Sequence, residues 1–133
     1  MNQNPRILIA DDMQMIRRLL KSALLKAGLI DIAEAVDGEE ILTKLKYEAF
    51  DLIICDWEMP KLSGIETLRA IRLDEKHKDT PFVMVTTVAE KEMVRSAIEA
   101  GISDYIVKPI RPEVFVKKIK SVLTELNLIP ATA

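Results

Sequence analysis

Charged and hydroxyl side chains stand at the ends of four apolar runs in this sequence. Two adjacent carboxylates, Asp11 and Asp12, follow the first run, and Asp56 follows a later one. Thr86 and Lys108 stand at the ends of two further runs. If the runs are parallel strands, these ends lie at one edge of a sheet. Carboxylates about 4 Å apart repel by several kcal/mol at an effective dielectric constant of about 20, so the cluster needs a cation.

The type of ligand atom favours Mg2+ as that cation. Carboxylate oxygens with open positions for water and phosphate suit Mg2+ rather than zinc. Cys55 lies inside an apolar run and is expected to be a small buried hydrophobic residue. The single histidine, His77, lies in a charged segment and is expected at the surface. Neither is positioned to join the carboxylates.

The isolated position of Asp56 indicates a phosphoryl acceptor. Capping of a helix explains it poorly, because the residues that follow run into a proline. A carboxylate that attacks a phosphoryl group yields an acyl phosphate, so Asp56 is the predicted nucleophile. Asp11 and Asp12 would hold the metal, although capping of the next helix also explains an acidic pair. Lys108 would pair with one phosphoryl oxygen and Thr86 would donate a hydrogen bond to another.

Composition predicts an ordinary globular protein. The 133 residues are 49% hydrophobic and 30% charged, which fits one domain over 1–133 with tails at 1–5 and 128–133. A net charge of -2 gives no general attraction to nucleic acid. No apolar run approaches the roughly 20 residues of a membrane span, and the N-terminus lacks a signal core. We expect a cytoplasmic protein with neither nucleic acid nor membrane as a partner.

Short apolar runs alternate with segments of helical period five times along the chain, which predicts an α/β fold. Right-handed crossovers restrict such a chain to a doubly wound parallel sheet, with ligands beyond the carboxyl ends of the strands. The first predicted helix follows Asp12 and ends at Gly28, and the second runs from Gly38 to Lys46, with Asp37 as its cap and Glu40 as the partner of that cap. The third contains Ile65, Leu68 and Ile71. The fourth begins at Glu90 and ends at Gly101, and the fifth runs from Phe115 to Leu126. The weaker predicted strands are Asp31 to Ala35 and Asp104 to Val107.

Several motifs in this order and spacing resemble the receiver domain of two-component response regulators, especially single-domain chemotaxis regulators. The resemblance covers essentially the whole chain. It implies a flavodoxin-like (βα)5 fold with strand order 2-1-3-4-5, the order for which chemotaxis regulators are known. The motifs are Asp11-Asp12, Asp56-Trp57-Glu58-Met59-Pro60 with Gly64, Thr86, and Tyr105-Ile106-Val107-Lys108-Pro109.

The resemblance implies a phosphoprotein of a phosphorelay rather than an enzyme with a separate substrate. A sensor histidine kinase would phosphorylate Asp56, and the protein would catalyse only this transfer and its own slow dephosphorylation. Mg2+ would be held by Asp11, Asp12, Asp56 and the backbone carbonyl of Glu58. The Lys108-Pro109 bond is expected to be cis.

The resemblance also implies a switch surface on the fourth helix, the fifth strand and the fifth helix. Phosphorylation adds roughly -1.5 to -2 charges, which would draw Thr86 inward and admit Tyr105 to the vacated space. The partner would be a downstream target, either the flagellar motor switch or an output enzyme. The positions that match partner contacts are Tyr105, Val107, Ile110 and Lys118.

Four positions depart from the chemotaxis regulators. Glu58 replaces an asparagine, Thr87 an alanine and Val88 an acidic residue. These positions flank the water that would attack the acyl phosphate, so we predict a different phosphoryl lifetime. Ile110 replaces a phenylalanine, which weakens the case for a flagellar motor partner.

Two other classes of protein share parts of this pattern. Mg2+-dependent phosphohydrolases that form an aspartyl phosphate carry an Asp-x-Asp motif after the first strand, whereas Asp11 and Asp12 are adjacent. Flavin-binding electron carriers share the topology, but this acidic pair would repel their phosphate without a metal. If the chain is a receiver domain, it is a diffusible signal protein, a shuttle in a phosphorelay or a domain cut from a longer regulator. We expect it to be a monomer or a weak dimer.

Overall fold

The computed structural model describes residues 4–87 and 90–130. This part of the chain forms five strands that alternate with five helices, as the sequence predicts. The elements are β1 (Ile7–Ala10), α1 (Gln14–Lys26), β2 (Ile32–Ala35), α2 (Gly38–Leu45), β3 (Leu52–Asp56), α3 (Gly64–Arg72), β4 (Phe82–Thr86), α4 (Lys91–Ala100), β5 (Asp104–Val107) and α5 (Pro112–Glu125).

All strands are parallel and lie in the order β2-β1-β3-β4-β5, which confirms the doubly wound, flavodoxin-like fold. The register places Ala10 of β1 beside Cys55 of β3, so Asp11 and Asp56 leave the sheet at the same level. Thr86 of β4 pairs with Val107 of β5. Four of the strands therefore deliver their polar ends to one edge.

The sheet is buried on both faces, which explains why its central strands are apolar at every position. Alternate residues of β1 enter different clusters: Ile7 and Ile9 pack with α1 and α5, whereas Leu8 and Ala10 pack with α2, α3 and α4. All four are essentially inaccessible to solvent. Packing on both faces therefore fixes the positions of the strand ends.

The helix boundaries lie within a few residues of those predicted. Asp37 caps α2 by accepting a hydrogen bond from the Glu40 backbone N–H at 2.8 Å. A capping box would have the Glu40 carboxylate accept a hydrogen bond from the backbone N–H of Asp37. It accepts instead from the backbone N–H of Val36, one residue earlier, at 2.7 Å. Gly28 and Gly101 have φ angles of +87° and +96°, as expected of left-handed helix terminators.

The prediction that His77 lies at the surface is wrong. Its side chain is 3% exposed, and its Nε2 donates a hydrogen bond to the Leu45 carbonyl at 2.7 Å. Leu45 is the last residue of α2, where carbonyl groups lack partners within the helix. A turn closed by a hydrogen bond from His77 N–H to the Asp74 carbonyl carries the ring inward. His77 therefore joins the α3–β4 connection to the end of α2.

The chain continues to pack beyond α5. Leu128 and Ile129, at the start of the predicted C-terminal tail, are partly buried against the core, and Leu128 N–H donates to the Leu123 carbonyl. Within the described ranges, none of the helices combines the length and the apolar character needed to cross a bilayer.

Candidate functional site

Three carboxylates meet at the carboxyl edge of the sheet. One oxygen of each of Asp11, Asp12 and Asp56 lies within 4.8 Å of the others. Asp11 and Asp56 are buried, whereas Asp12 is exposed. The residue that caps α1 is Met13, and no side chain caps this helix among the described residues. Asp11 Oδ1 accepts a hydrogen bond from the Met13 backbone N–H at 2.9 Å, so Asp11 orders the turn before α1, but neither carboxylate is the N-cap of the helix.

Lys108 brings a positive charge into this cluster. Its Nζ lies 3.1 Å from Asp11 Oδ2 and 3.4 Å from Asp56 Oδ1. The Lys108 backbone N–H donates to the Thr86 carbonyl, and the Lys108-Pro109 bond is cis, which confirms that prediction. The ammonium group therefore lies where it can balance two of the three carboxylates.

The crowding of charges changes two pKa values. Burial, and then the charge of Asp11, raise the pKa of Asp56 to about 6, although Lys108 opposes the shift. Burial alone would lower the pKa of Lys108, but its hydrogen bond to Asp11 and the charges of Asp56 and Asp11 raise it overall. Lys108 is therefore charged at neutral pH, and it compensates the carboxylates only in part.

Cys55 lies beside the site without entering its chemistry. Its thiol donates to the Asp56 carbonyl at 3.2 Å. Burial, followed by the charges of Asp56 and Asp11, raises the pKa of the Cys55 thiol well above its ordinary value. A protonated, buried thiol is neither a nucleophile nor a metal ligand.

The loop after β3 depends on a close approach at Gly64. A Cβ at Gly64 would lie 2.4 Å from the Asp56 carbonyl oxygen, and Gly64 N–H donates to the Trp57 carbonyl at 2.7 Å. Glu58, whose backbone carbonyl is a predicted metal ligand, follows on this loop with an exposed side chain. The loop also contains Lys61 at a φ of +70°, an uncommon angle for a side chain other than glycine.

Thr86 and Tyr105 are linked directly. Thr86 is buried at the end of β4, and its side chain shares a hydrogen bond with the half-buried Tyr105 phenol. Burial raises the pKa of that phenol, and the bond to Thr86 opposes the shift. The two residues that the switch prediction pairs are therefore already in contact.

The other predicted surface residues differ in their surroundings. Val107 is exposed, whereas Ile110 is partly buried against the core. Lys118 Nζ donates to the Tyr105 carbonyl at 3.1 Å and lies 3.9 Å from Asp104 Oδ1. Lys118 thus fastens α5 to β5.

The site continues into a cavity of about 730 Å3. Glu58 and Thr87, the predicted modulators of phosphoryl lifetime, line it, and Val88 lies outside the described residues. Sequence analysis missed three other lining residues, Met13, Ser63 and Met93. Met13 directly follows the acidic pair and could have been noticed, but Met93 comes from α4 and carries no local signal.

Comparisons with known proteins agree on one family. Residues 7–120 match the response regulator receiver domain. The chain is 39% identical over 122 residues to the chemotaxis protein CheY of Pseudomonas aeruginosa, covering 92% of this chain and 98% of that protein. Over 126 residues it is 38% identical to the chemotaxis protein CheY-3 of Vibrio cholerae, covering 95% and 97%. The solved structure of the chemotaxis response regulator CheY4 of Vibrio cholerae has a TM-score of 0.84 at 34% identity and covers 91% of this chain and 100% of that one.

These matches decide between the three classes of protein that share parts of the pattern. A receiver domain is a phosphoacceptor in phosphorelay signalling rather than an enzyme with a separate substrate, which rules against a phosphohydrolase. The cluster of Asp11, Asp12 and Asp56 is typical of the acidic site of such domains. The chain belongs to the response regulator receiver domain family.

Proposed function

We propose that Asp56 accepts a phosphoryl group from a phosphohistidine of a sensor histidine kinase, with Mg2+ bound beside it. The observation that carries this proposal is the position of Asp56: a buried carboxylate at the end of a central strand, 3.4 Å from Lys108 Nζ. Family membership supports a histidine kinase as the donor.

The ligands present fit a magnesium ion. Asp11, Asp12 and Asp56 offer oxygens within 4.8 Å of one another, and the backbone carbonyl of Glu58 would complete the protein ligands. When bound, Mg2+ would neutralise charge on the transferring phosphoryl group. The pKa of Asp56 is raised first by burial and then by the charge of Asp11, and Lys108 does not fully offset the two, so a cation beside Asp56 would favour its ionised form.

The protein's own residues then perform the transfer. Asp56 is mostly ionised at neutral pH because its pKa is about 6, so it can attack phosphorus. Lys108 would exchange its contact with Asp56 for one with a phosphoryl oxygen. Thr86 would turn its hydroxyl from Tyr105 to another phosphoryl oxygen. Positioned charges therefore stabilise the transition state.

The same exchange would switch a surface. Loss of the Thr86 hydrogen bond releases Tyr105, and the new contact draws Thr86 toward the phosphoryl group. The rearranged face comprises α4, β5 and α5, with Tyr105, Val107, Ile110 and Lys118 as its predicted contacts. This face would control a downstream protein partner.

Chemotaxis is the process that we propose for this output. The relatives described above are named chemotaxis proteins. A flagellar motor switch protein is the corresponding target. Ile110 counts against this target, because its side chain is partly buried against the core and leaves little surface for a partner to contact.

The phosphoacceptor assignment can be tested with a small donor. The protein is incubated with acetyl phosphate and Mg2+, and intact-mass spectrometry measures the product. We expect the mass of one phosphoryl group on the wild-type protein and none on Asp56→Asn. Asp51→Asn is the matched control, because Asp51 lies at the opposite end of β3 and should not affect labelling. A phosphoryl group on Asp56→Asn would refute the assignment.

A further inference from the structure

The cavity at the phosphorylation site is larger than its proposed contents. Its volume is about 730 Å3, whereas a phosphoryl group and a cation displace only a few waters of roughly 30 Å3 each. Pockets that bind small organic ligands have volumes of about 300–1,000 Å3. The remaining space therefore has room for an organic group next to the phosphoryl group.

Part of the lining of that space is apolar, beside the charged and polar residues of the site. Met13 comes from the β1–α1 connection, Trp57 and Met59 from the β3–α3 loop, and Met93 from α4. Met59 and Met93 pack against the core and are partly buried. Met13 is 54% exposed, whereas Asp56 is 7% exposed, so the carboxylate lies deeper than the outer part of this apolar rim.

This arrangement matches the direction of phosphoryl transfer. The attacking and leaving oxygens lie roughly in line across phosphorus. A donor attacked by Asp56 therefore releases its leaving group on the side away from the base of the cavity, toward Met13 and Met93. Methionine side chains adapt to different shapes and make favourable contacts with aromatic rings.

We propose that this apolar rim makes acyl phosphates with an aryl or branched-alkyl group better phosphodonors for Asp56 than acetyl phosphate. The inference rests on the proposed phosphoacceptor function of Asp56. With benzoyl phosphate, Asp56 Oδ forms a bond to phosphorus while the bond from phosphorus to the acyl oxygen breaks. The products are the Asp56 acyl phosphate and benzoate, which takes the electron pair of the broken bond. No oxidant, reductant or further reactant is needed.

Initial rates of phosphorylation test the proposal. Benzoyl, isovaleryl and acetyl phosphate are compared at equal Mg2+ by intact-mass spectrometry, and each rate is divided by the donor concentration. The leaving carboxylates have similar basicity, so the ratios report mainly on contacts with the protein. We expect benzoyl phosphate to react roughly tenfold faster than acetyl phosphate, with isovaleryl phosphate between them.

Variants show whether the rim causes the preference. Met13→Gln and Met93→Gln keep the side-chain length but add a polar amide, and each should lower the benzoyl-to-acetyl ratio about threefold. Met15→Gln is the matched control, because Met15 is 77% exposed and does not line the cavity. Its ratio should equal that of the wild-type protein.

The outcomes separate this inference from the proposed function. Equal rates with benzoyl and acetyl phosphate, or an unchanged ratio in both Met13→Gln and Met93→Gln, would overturn the inference while leaving Asp56 as acceptor. Failure of every donor to label the wild-type protein, or labelling of Asp56→Asn, would overturn the proposed function and the inference with it.

Discussion

Lys108 Nζ lies 3.1 Å from Asp11 Oδ2, closer than its 3.4 Å from Asp56 Oδ1. Asp11 is 1% exposed, so this ion pair is held at the base of the site. Asp56 shares the same ammonium group with Asp11 and feels the charge of Asp11 as repulsion. Of the two carboxylates that share Lys108, the acceptor is therefore the one farther from the ammonium group, and a cation bound beside it would reduce this repulsion.

The first prediction concerns stability and pH without metal. Folding raises the pKa of Asp56 from 3.8 to about 6, so the folded protein binds this proton more tightly than the unfolded chain. The contribution of Asp56 to the free energy of unfolding is therefore greatest below its unfolded-state pKa of 3.8, and it is lost as the pH rises through about 6. Asp56→Asn removes the effect. We expect it to stabilise the metal-free protein by about 1 kcal/mol at neutral pH, after allowance for solvent screening, and to have little effect below pH of about 4.

Urea unfolding in EDTA at several pH values measures this difference. Asp51→Asn is the control for loss of one negative charge directly before β3, and its amide oxygen can still accept the hydrogen bond that the Arg6 backbone N–H donates to Asp51. Equal stability of Asp56→Asn and the wild-type protein at neutral pH would contradict a raised pKa of Asp56 in the folded protein. Adding Mg2+ should stabilise the wild-type protein more than Asp56→Asn, because only the wild-type protein retains all three carboxylates.

The second prediction concerns the hydrogen bond between Thr86 and Tyr105. Thr86→Ala removes the hydroxyl that is shared with Tyr105. We expect this variant to be phosphorylated at Asp56 but to lose most of the switch. A shift from 1:99 to 99:1 between two states requires roughly 5.5 kcal/mol, to which Thr86 and Lys108 would contribute.

NMR spectra of backbone amides with and without beryllofluoride and Mg2+ can measure the switch. In the wild-type protein, binding should shift amides of α4 and β5, and in Thr86→Ala these shifts should shrink. Thr86→Ser keeps the hydroxyl and should behave like the wild-type protein. Undiminished shifts in Thr86→Ala would show that its hydroxyl does not carry the signal.

The third prediction concerns the lifetime of the phosphoryl group. Glu58 and Thr87 are exposed at the cavity, where they can affect the water that attacks the acyl phosphate. Glu58→Asn removes a charge that would repel or reposition that water, and Thr87→Ala widens its access. We expect each variant to change the dephosphorylation rate severalfold, a size typical of altered access or positioning.

Loss of phosphoryl mass after removal of the donor measures that rate. Glu75→Gln is a suitable control, since the Glu75 side chain is 91% exposed in the α3–β4 connection. If Glu58→Asn and Thr87→Ala both match the wild-type rate, these positions do not set the lifetime.

The sequence predicted the sheet well because three strands, β1, β3 and β4, are buried and apolar at nearly every position. The polar residues that follow the strands could also be placed close together, because the carboxyl ends of parallel strands lie at one edge of the sheet. Contacts between distant segments could not be predicted in this way. Arg72 donates to the Thr80 and Gly101 carbonyls at 2.7 Å each, joining α3 to the ends of two loops. His77 is similar: its burial depends on the end of α2, 32 residues earlier.

The last prediction concerns Gly64, whose role is steric rather than chemical. A Cβ at this position would lie 2.4 Å from the Asp56 carbonyl oxygen and 2.8 Å from Met84 Sδ. The methionine can move, but the carbonyl belongs to the strand that carries the acceptor, so Gly64→Ala must displace β3 or α3. We expect a loss of about 1–3 kcal/mol in the free energy of unfolding and slower labelling by acetyl phosphate.

Gly28→Ala separates this close approach from a general effect of replacing glycine. At Gly28 no atom lies within 4 Å of an added Cβ, but the φ angle of +87° makes the substitution strained. Gly28→Ala should therefore lower stability by about 1 kcal/mol and leave labelling of Asp56 unchanged. Slower labelling in Gly64→Ala alone would show that this glycine positions the acceptor strand. Equal labelling rates in both variants would restrict the role of Gly64 to stability.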